Sequence, residues 1–226
     1  MATYPWPGFC VNRFEMRVMP NTRVFVGPYT PSVQVLDLLG ERWMISLDTT
    51  PGVKQIDAGA REAFFDRLRG PVNRISMWNL RRPVPLGTIR DGVVANVVNG
   101  SLAAVSVVNA SLQPVTVRSG APAVAAAVAQ GSSTATLSHV AGRTVKAGDM
   151  LGLGGQLVRV MADATFDGSG QAVVEFFPRL RTALGIGAEV VWDKPTATFM
   201  LQAETVPTVH RPGMYEGASL DLIETF

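Results

Sequence analysis

Residues 146–160 read KAGDMLGLGGQLVRV, with Gly152, Gly154 and Gly155 crowded between two short apolar runs. A phosphate-binding glycine loop requires a strand before it, a helix after it and, in its commonest nucleotide-binding form, a Lys followed by Ser or Thr. The chain continues instead as QLVRVMADAT, where Leu157, Val158 and Val160 favour a strand, then DGSG at 167–170, then QAVVEFFP. Alternating strands and turns are expected, with the glycines supplying the positive φ angles of tight hairpins. The stretch is a bend, and it points to a mainly β chain.

Working outward from this hairpin, TATLSHV, DMLGL, QLVRVMA, QAVVEFF, AEVVWD and TATFMLQ between Ser132 and Gln202 predict six short strands separated by glycine-bearing or polar breaks. That pattern suits a small β-barrel or sandwich over 131–203. RLRTALGIG between two of these strands is expected to form a helical turn before Gly187. Upstream, Phe14, Met16 and Val18 alternate with Glu15 and Arg17, as in a half-buried strand. SVQVLDLL (32–39) and ERWMISLDT (41–49) read as a hairpin across Gly40, with Trp43, Ile45 and Leu47 on one face. A helix is expected over 59–70, with Ala60, Phe64, Phe65 and Leu68 on its apolar side and Arg61, Glu62, Asp66 and Arg67 on the other. Asp57 or Gly59 would cap its start, and Gly70 with Pro71 would stop it. Such a short helix must lay its stripe on a sheet. NRISMWNL (73–80) is a further strand. Leu220, Leu222 and Phe226 alternate with Asp221, Ile223 and Thr225, so the segment 204–226 should return to the first sheet and complete an N-terminal β-sandwich-like domain of residues 1–90.

The chain has 226 residues, 17% of them charged, 47% hydrophobic, with 22 glycines and 15 prolines. This balance excludes disorder and fits short strands with punctuated turns. A net charge of +2 without a polybasic block gives no reason to expect nucleic-acid binding, although the pI is near 9.0. One cysteine, Cys10, excludes an internal disulfide framework and fits a reducing cytoplasm; it reads as a small packed residue. No cationic start leads into an apolar run and no window has the length of a membrane span, so a soluble protein without membrane insertion is expected.

Between Asp91 and Gly142 the only formally charged residues are Asp91 and Arg118. VVANVV and SLAAVSVV flank Asn99-Gly100, a strong hairpin signal. An exposed hairpin so poor in charge invites edge pairing, so another domain or chain should cover 91–130.

No constellation proposes chemistry. His139 and His210 stand far apart, without a metal-binding spacing or a neighbouring cysteine. No nucleophile elbow is present. Asp163 and Asp167 lack calcium-loop spacing, and Asp167-Gly168 fits a turn. Of the tryptophans at 6, 43, 78 and 192, three fall in expected strands, and Trp6 between Pro5 and Pro7 is the best candidate for a surface contact. Neither an enzyme nor a metal or cofactor site is expected.

Three blocks, NRISMWNLRRPVPLGTIRDG from Asn73, GRTVKAGDMLGLGGQLVRVMADATFDGSGQAVVEFFPRLRTALGIGAEVVWDKPTATFMLQ from Gly142, and the terminal SLDLIETF, resemble the distal tail proteins of long-tailed, siphovirus-like bacteriophages and prophages. The resemblance implies a structural virion protein of the tail tip. Its β-rich N-terminal domain would build a homo-oligomeric ring, commonly a hexamer, joining the tail tube protein to the tip or baseplate hub proteins, with the tape measure protein as a further neighbour. The second domain would be a galectin-like or OB-like barrel, either inserted in the first domain or following it. The protein would be made in the bacterial host cytoplasm. Ring subunits need low-charge seams, which makes Val97 and Val107, with Trp6, the candidate interface residues. A carbohydrate-binding module for host adhesion, a cell-wall hydrolase, and a head-tail connector or capsid decoration protein are the competing readings.

Overall fold

The computed structural model describes residues 1–26, 33–38, 40–52, 54–90, 107–108, 114–115, 122–207, 210–211 and 214–225. Along the chain come β1 (Thr3–Pro5), β2 (Val11–Met19), β3 (Thr22–Val26), β4 (Val33–Asp37), β5 (Arg42–Thr49), α1 (Gln55–Leu68) and β6 (Arg74–Trp78). The middle contributes a 3-10 turn (Thr88–Arg90), β7 (Val107–Val108), β8 (Pro114–Val115), β9 (Ala123–Val124), β10 (Thr134–Ser138), β11 (Thr144–Val145) and β12 (Met150–Leu153). Then follow β13 (Gln156–Val160), β14 (Ala164–Thr165), β15 (Gln171–Phe177), β16 (Val190–Val191), β17 (Thr196–Leu201), β18 (His210–Arg211), β19 (Met214–Tyr215) and β20 (Ser219–Glu224). The protein is mainly β, with two compact units: 1–83, 155–157 and 194–226 in one, 84–154 and 158–193 in the other. In sequence, the second unit is inserted into the first.

The first unit is built on a six-stranded sheet of order β1-β6-β17-β20-β5-β2, antiparallel except for the β1–β6 pair. Register turns sequence alternation into one apolar face. Leu201 lies opposite Leu222, Leu222 opposite Ile45 and Ile45 opposite Met16, while Leu220 lies opposite Leu47 and Leu47 opposite Phe14. Period-two side chains place each such row on the same side of the pleat. All but Met16 of these residues are buried. The buried Glu224 sits on this face too, and its Oε2 accepts the Trp43 backbone N–H at 3.0 Å.

Two strand assignments change. The segment TATFMLQ, expected in the barrel, is β17 of the first unit, lying between β6 and β20. The expected hairpin of 32–39 with 41–49 does not form: β4 pairs with β3, from Thr22 opposite Asp37 to Val26 opposite Val33. Both edges of β5 are occupied by β2 and β20, and a link through Gly40 is shorter than the two-residue minimum of common hairpins. The intervening GPYTPS carries stronger turn residues than Gly40.

The helix starts before the expected Asp57 or Gly59 cap. Lys54 is its N-cap and has no side-chain capping bond, while its carbonyl accepts from the N–H groups of Asp57 and Ala58 at 3.1 and 3.3 Å. It ends through Arg69 in the left-handed conformation (φ 52°, ψ 49°). Its buried residues are Ala58, Arg61, Phe64, Phe65 and Leu68, whereas Ala60 is exposed. The spacing 58, 61, 65, 68 is helical, so Arg61 belongs to the inner face on geometry alone. Reading arginine as polar had placed it outside. The apolar stripe meets aromatic rings of the segment after β1: Trp6 and Phe9 stand edge-on to Phe64 at 6.0 and 5.7 Å.

The second unit is a barrel-like sheet of order β16-β12-β13-β15-β10-β9. Its two ends meet, with the Val124 N–H donating to Ala188 O at 2.9 Å and the Val190 N–H to Pro122 O at 3.0 Å. Leu137, Leu151, Val158, Phe166, Val174 and Phe176 are among its core residues. The turn joining β12 and β13 is the Gly154-Gly155 pair, at φ 57° and 80°, so the glycines make the bend expected of them. RLRTALGIG contains no helical turn. Leu184 bridges Val128 instead, with reciprocal backbone bonds of 2.9 and 3.0 Å. The barrel unit reaches back to Val84, so residues 84–90, read as the end of the first domain, belong to it, as do 122–130, read as linker.

Candidate functional site

Of the expected interface residues, Val97 and the Asn99-Gly100 turn lie outside the described residues. Val107 is described in its backbone, opposite Val115 in the β7–β8 pair. Trp6 is not a surface contact: it is 4% exposed, packed on Phe9 and Phe64, and its indole Nε1 has no partner among the described residues. The hydrophobic cost of baring an indole outweighs one unmade hydrogen bond.

The other sequence candidates lie as follows. His139 follows β10, with Nε2 2.7 Å from the Ile89 carbonyl and its ring edge-on to Phe166. His210 is a strand residue of β18, opposite Tyr215. Asp163 takes Lys146 Nζ at 2.7 Å and the Ala147 N–H at 2.8 Å. Asp167 accepts from Ser169 N, Ser169 Oγ and Gln171 N at 2.9, 2.6 and 2.9 Å, closing its own turn. These bonds hold both carboxyls below the usual carboxylate range: Asp163 first through the Lys146 hydrogen bond, Asp167 first through that of Ser169. No group of three or more His, Cys, Asp or Glu side chains placed to hold a metal occurs among the described residues. No helix among them is long and apolar enough to cross a membrane.

Two features escaped the sequence reading. The first is the β3–β4 hairpin, a separate two-stranded sheet. Val24, Phe25 and Val26 are 60, 52 and 68% exposed, and Val35 and Leu36 are 63 and 48% exposed. Neighbouring residues of a strand point to opposite faces, so both faces of this ribbon are apolar and open. The run VFV beside a Gly/Pro-rich turn was the available signal.

The second is a cavity of about 440 Å³ in the first unit, beside the start of α1. Arg61, only 5% exposed, is among its lining residues, and its Nη1 donates to Thr49 Oγ1 and to Thr50 O, each at 2.9 Å. Thr49 Oγ1 also accepts the Ala218 N–H at 2.8 Å and donates to Ala218 O at 3.2 Å, which fixes the hydroxyl that orients the guanidinium. The guanidinium carbon lies 4.8 Å from the Tyr215 ring centre and 5.5 Å from that of Phe9. Arg61 Nε is enclosed without a partner, and no carboxylate pairs with this arginine among the described residues.

The chain matches no protein-family model and no curated protein.

Proposed function

We infer that this protein is an assembly component, a subunit of a homo-oligomeric ring at the tip of a bacteriophage tail, joining the tail tube to the tip or baseplate hub. The resemblance of the 73–92, 142–202 and 219–226 blocks to distal tail proteins supports the place in the particle. The observation that carries the assembly reading is the β3–β4 hairpin. An isolated two-stranded ribbon is marginal in water, and this one exposes valines and a phenylalanine on both faces and has an unpaired outer edge on each strand among the described residues. An exposed apolar ribbon is stabilised when a neighbouring copy covers it. Because the ribbon and the surface that receives it are different patches, the contact is heterologous and repeats until a ring closes.

Val24 and Val35 are cross-strand partners and share a face. The test is the mass of the purified protein in solution, with negative-stain imaging, for the native chain and for a Val24→Lys, Val35→Lys double variant. Annular particles are expected from the native chain, and monomers of unchanged thermal stability from the variant. A native chain that stays monomeric at high concentration, or a variant that closes the same rings, overturns the reading.

A further inference from the structure

We propose that the cavity beside the start of α1 is a binding site for a carboxylate carried on an apolar body, with Arg61 as its counter-charge. This inference stands apart from the ring assignment and uses different residues.

A buried guanidinium is stable when it is paired or fully hydrogen-bonded. Nη1 is bonded twice, but Nε and Nη2 have no protein partner and no carboxylate is bonded to the group among the described residues. Thr49, Thr50, Phe9 and Tyr215 hold the group in one place without neutralising it. An arginine held in this way suits an incoming oxyanion, with Nη2 as the donor left to meet it.

The N-cap Lys54 makes no side-chain capping bond and its carbonyl takes the N–H groups of Asp57 and Ala58, so the helix start contributes the positive end of its dipole rather than free donors. Lys54 and Asp57 both line the cavity together with Arg61. Two cations against one carboxylate leave the site favourable to an anion, and Asp57 limits it to one of low charge.

Phe9, Pro51, Ala60 and Tyr215 supply apolar wall. A fully hydrated inorganic anion gains nothing from such walls, whereas a carboxylate attached to a ring or branched chain buries its body there. Such a group could be a free organic acid or an acidic side chain of another copy of this chain; the shared chemistry is the same.

Cys10, the only cysteine of the chain, is exposed and lines the cavity, which makes it a reporter. The experiment follows the rate at which N-ethylmaleimide alkylates Cys10 in the full-length protein, at fixed ionic strength, with phenylacetate or its neutral isostere phenylacetamide present. Phenylacetate at about ten times its Kd should slow alkylation about tenfold, with phenylacetamide having little effect. An Ala60→Phe variant, altered at an exposed helix position and filling the cavity with Arg61 untouched, should lose the protection by phenylacetate, and thermal melting of that variant confirms that it is folded. Equal rates with and without the acid, or equal protection by the amide, overturn the proposal. The source is separated by repeating the solution-mass measurement with phenylacetate: dissociation of assemblies identifies an acidic side chain of a neighbouring copy, and an unchanged mass identifies a free acid. Loss of rings in the hairpin variant leaves this readout unaffected, so the two ideas fail separately.

Discussion

The Arg61 guanidinium lies 4.8 Å from the ring centre of Tyr215, a residue 154 positions later in the chain, and Tyr215 exchanges both backbone hydrogen bonds with Gly52. This triad ties the start of the helix to the strand that precedes the C-terminal segment. The lack of a Cβ at Gly52 is what lets the ring lie so close: any side chain there would collide with the Tyr215 ring.

Gly52→Ala should therefore destabilise the first unit by about 1–3 kcal/mol through overpacking against a fixed ring. Combining it with Tyr215→Leu, which removes the collision, should cost less than the sum of the single changes. Denaturant melts of the two single variants and the double variant measure the coupling.

Arg61→Lys keeps the charge and loses the geometry. Arg61 meets Thr49 Oγ1 and Thr50 O through Nη1 alone, and a lysine side chain is one bond shorter and stacks more weakly on Tyr215 and Phe9, so a loss of about 1–3 kcal/mol is expected. Thermal unfolding checks it, and an unchanged midpoint would show that the two bonds contribute nothing net.

In the barrel, Gly154 and Gly155 separate two effects. Both have positive φ, but a Cβ at Gly154 would meet the Leu184 side chain, whereas at Gly155 it meets open space. Gly155→Ala should cost about 1–2 kcal/mol from backbone strain alone. Gly154→Ala should cost more, because Leu184 must also move. Urea midpoints of the two variants should fall in that order.

Asp163 and Asp167 give the barrel an acid dependence. Both folded-state pKa values are lowered from 3.8, so the unfolded chain binds protons more readily than the folded one. Their contribution is present above the unfolded pKa and is lost as pH falls through the lowered folded values. Thermal midpoints should hold steady above about pH 5 and decline below about pH 4 for these groups. Asp167→Asn should flatten part of that decline, measured by thermal melts across the acid range.

Much of the fold was legible because alternation is a local property. Trp43, Ile45 and Leu47 in β5, Leu220 and Leu222 in β20, and the Gly154-Gly155 turn each announce their state within a few residues, and the structure places them accordingly. The barrel strands β10, β12, β13, β15 and β16 were legible for the same reason. What local pattern could not supply is a partner. TATFMLQ reads equally well as a barrel strand or as β17, and only register decides: Phe199 lies opposite Ile75, and Leu201 opposite Leu222. SVQVLDLL reads as a strand whether it joins β5 or β3, and the occupied edges of β5 settle the matter.

The candidate site was illegible for a related reason. Arg61 lies on the inner face of α1 by helical spacing, yet nothing nearby in sequence says that Tyr215 and Thr49 will receive it. Strand-forming segments and turn positions follow from the sequence, since these depend on side-chain chemistry and short-range sterics. Tertiary structure alone decided which strands share a sheet, that Trp6 is buried, that β3 and β4 stand apart with both faces bare, and that a charge is enclosed beside the helix. Those outcomes depend on long-range pairing, where the burial of one segment is set by segments far away in the chain.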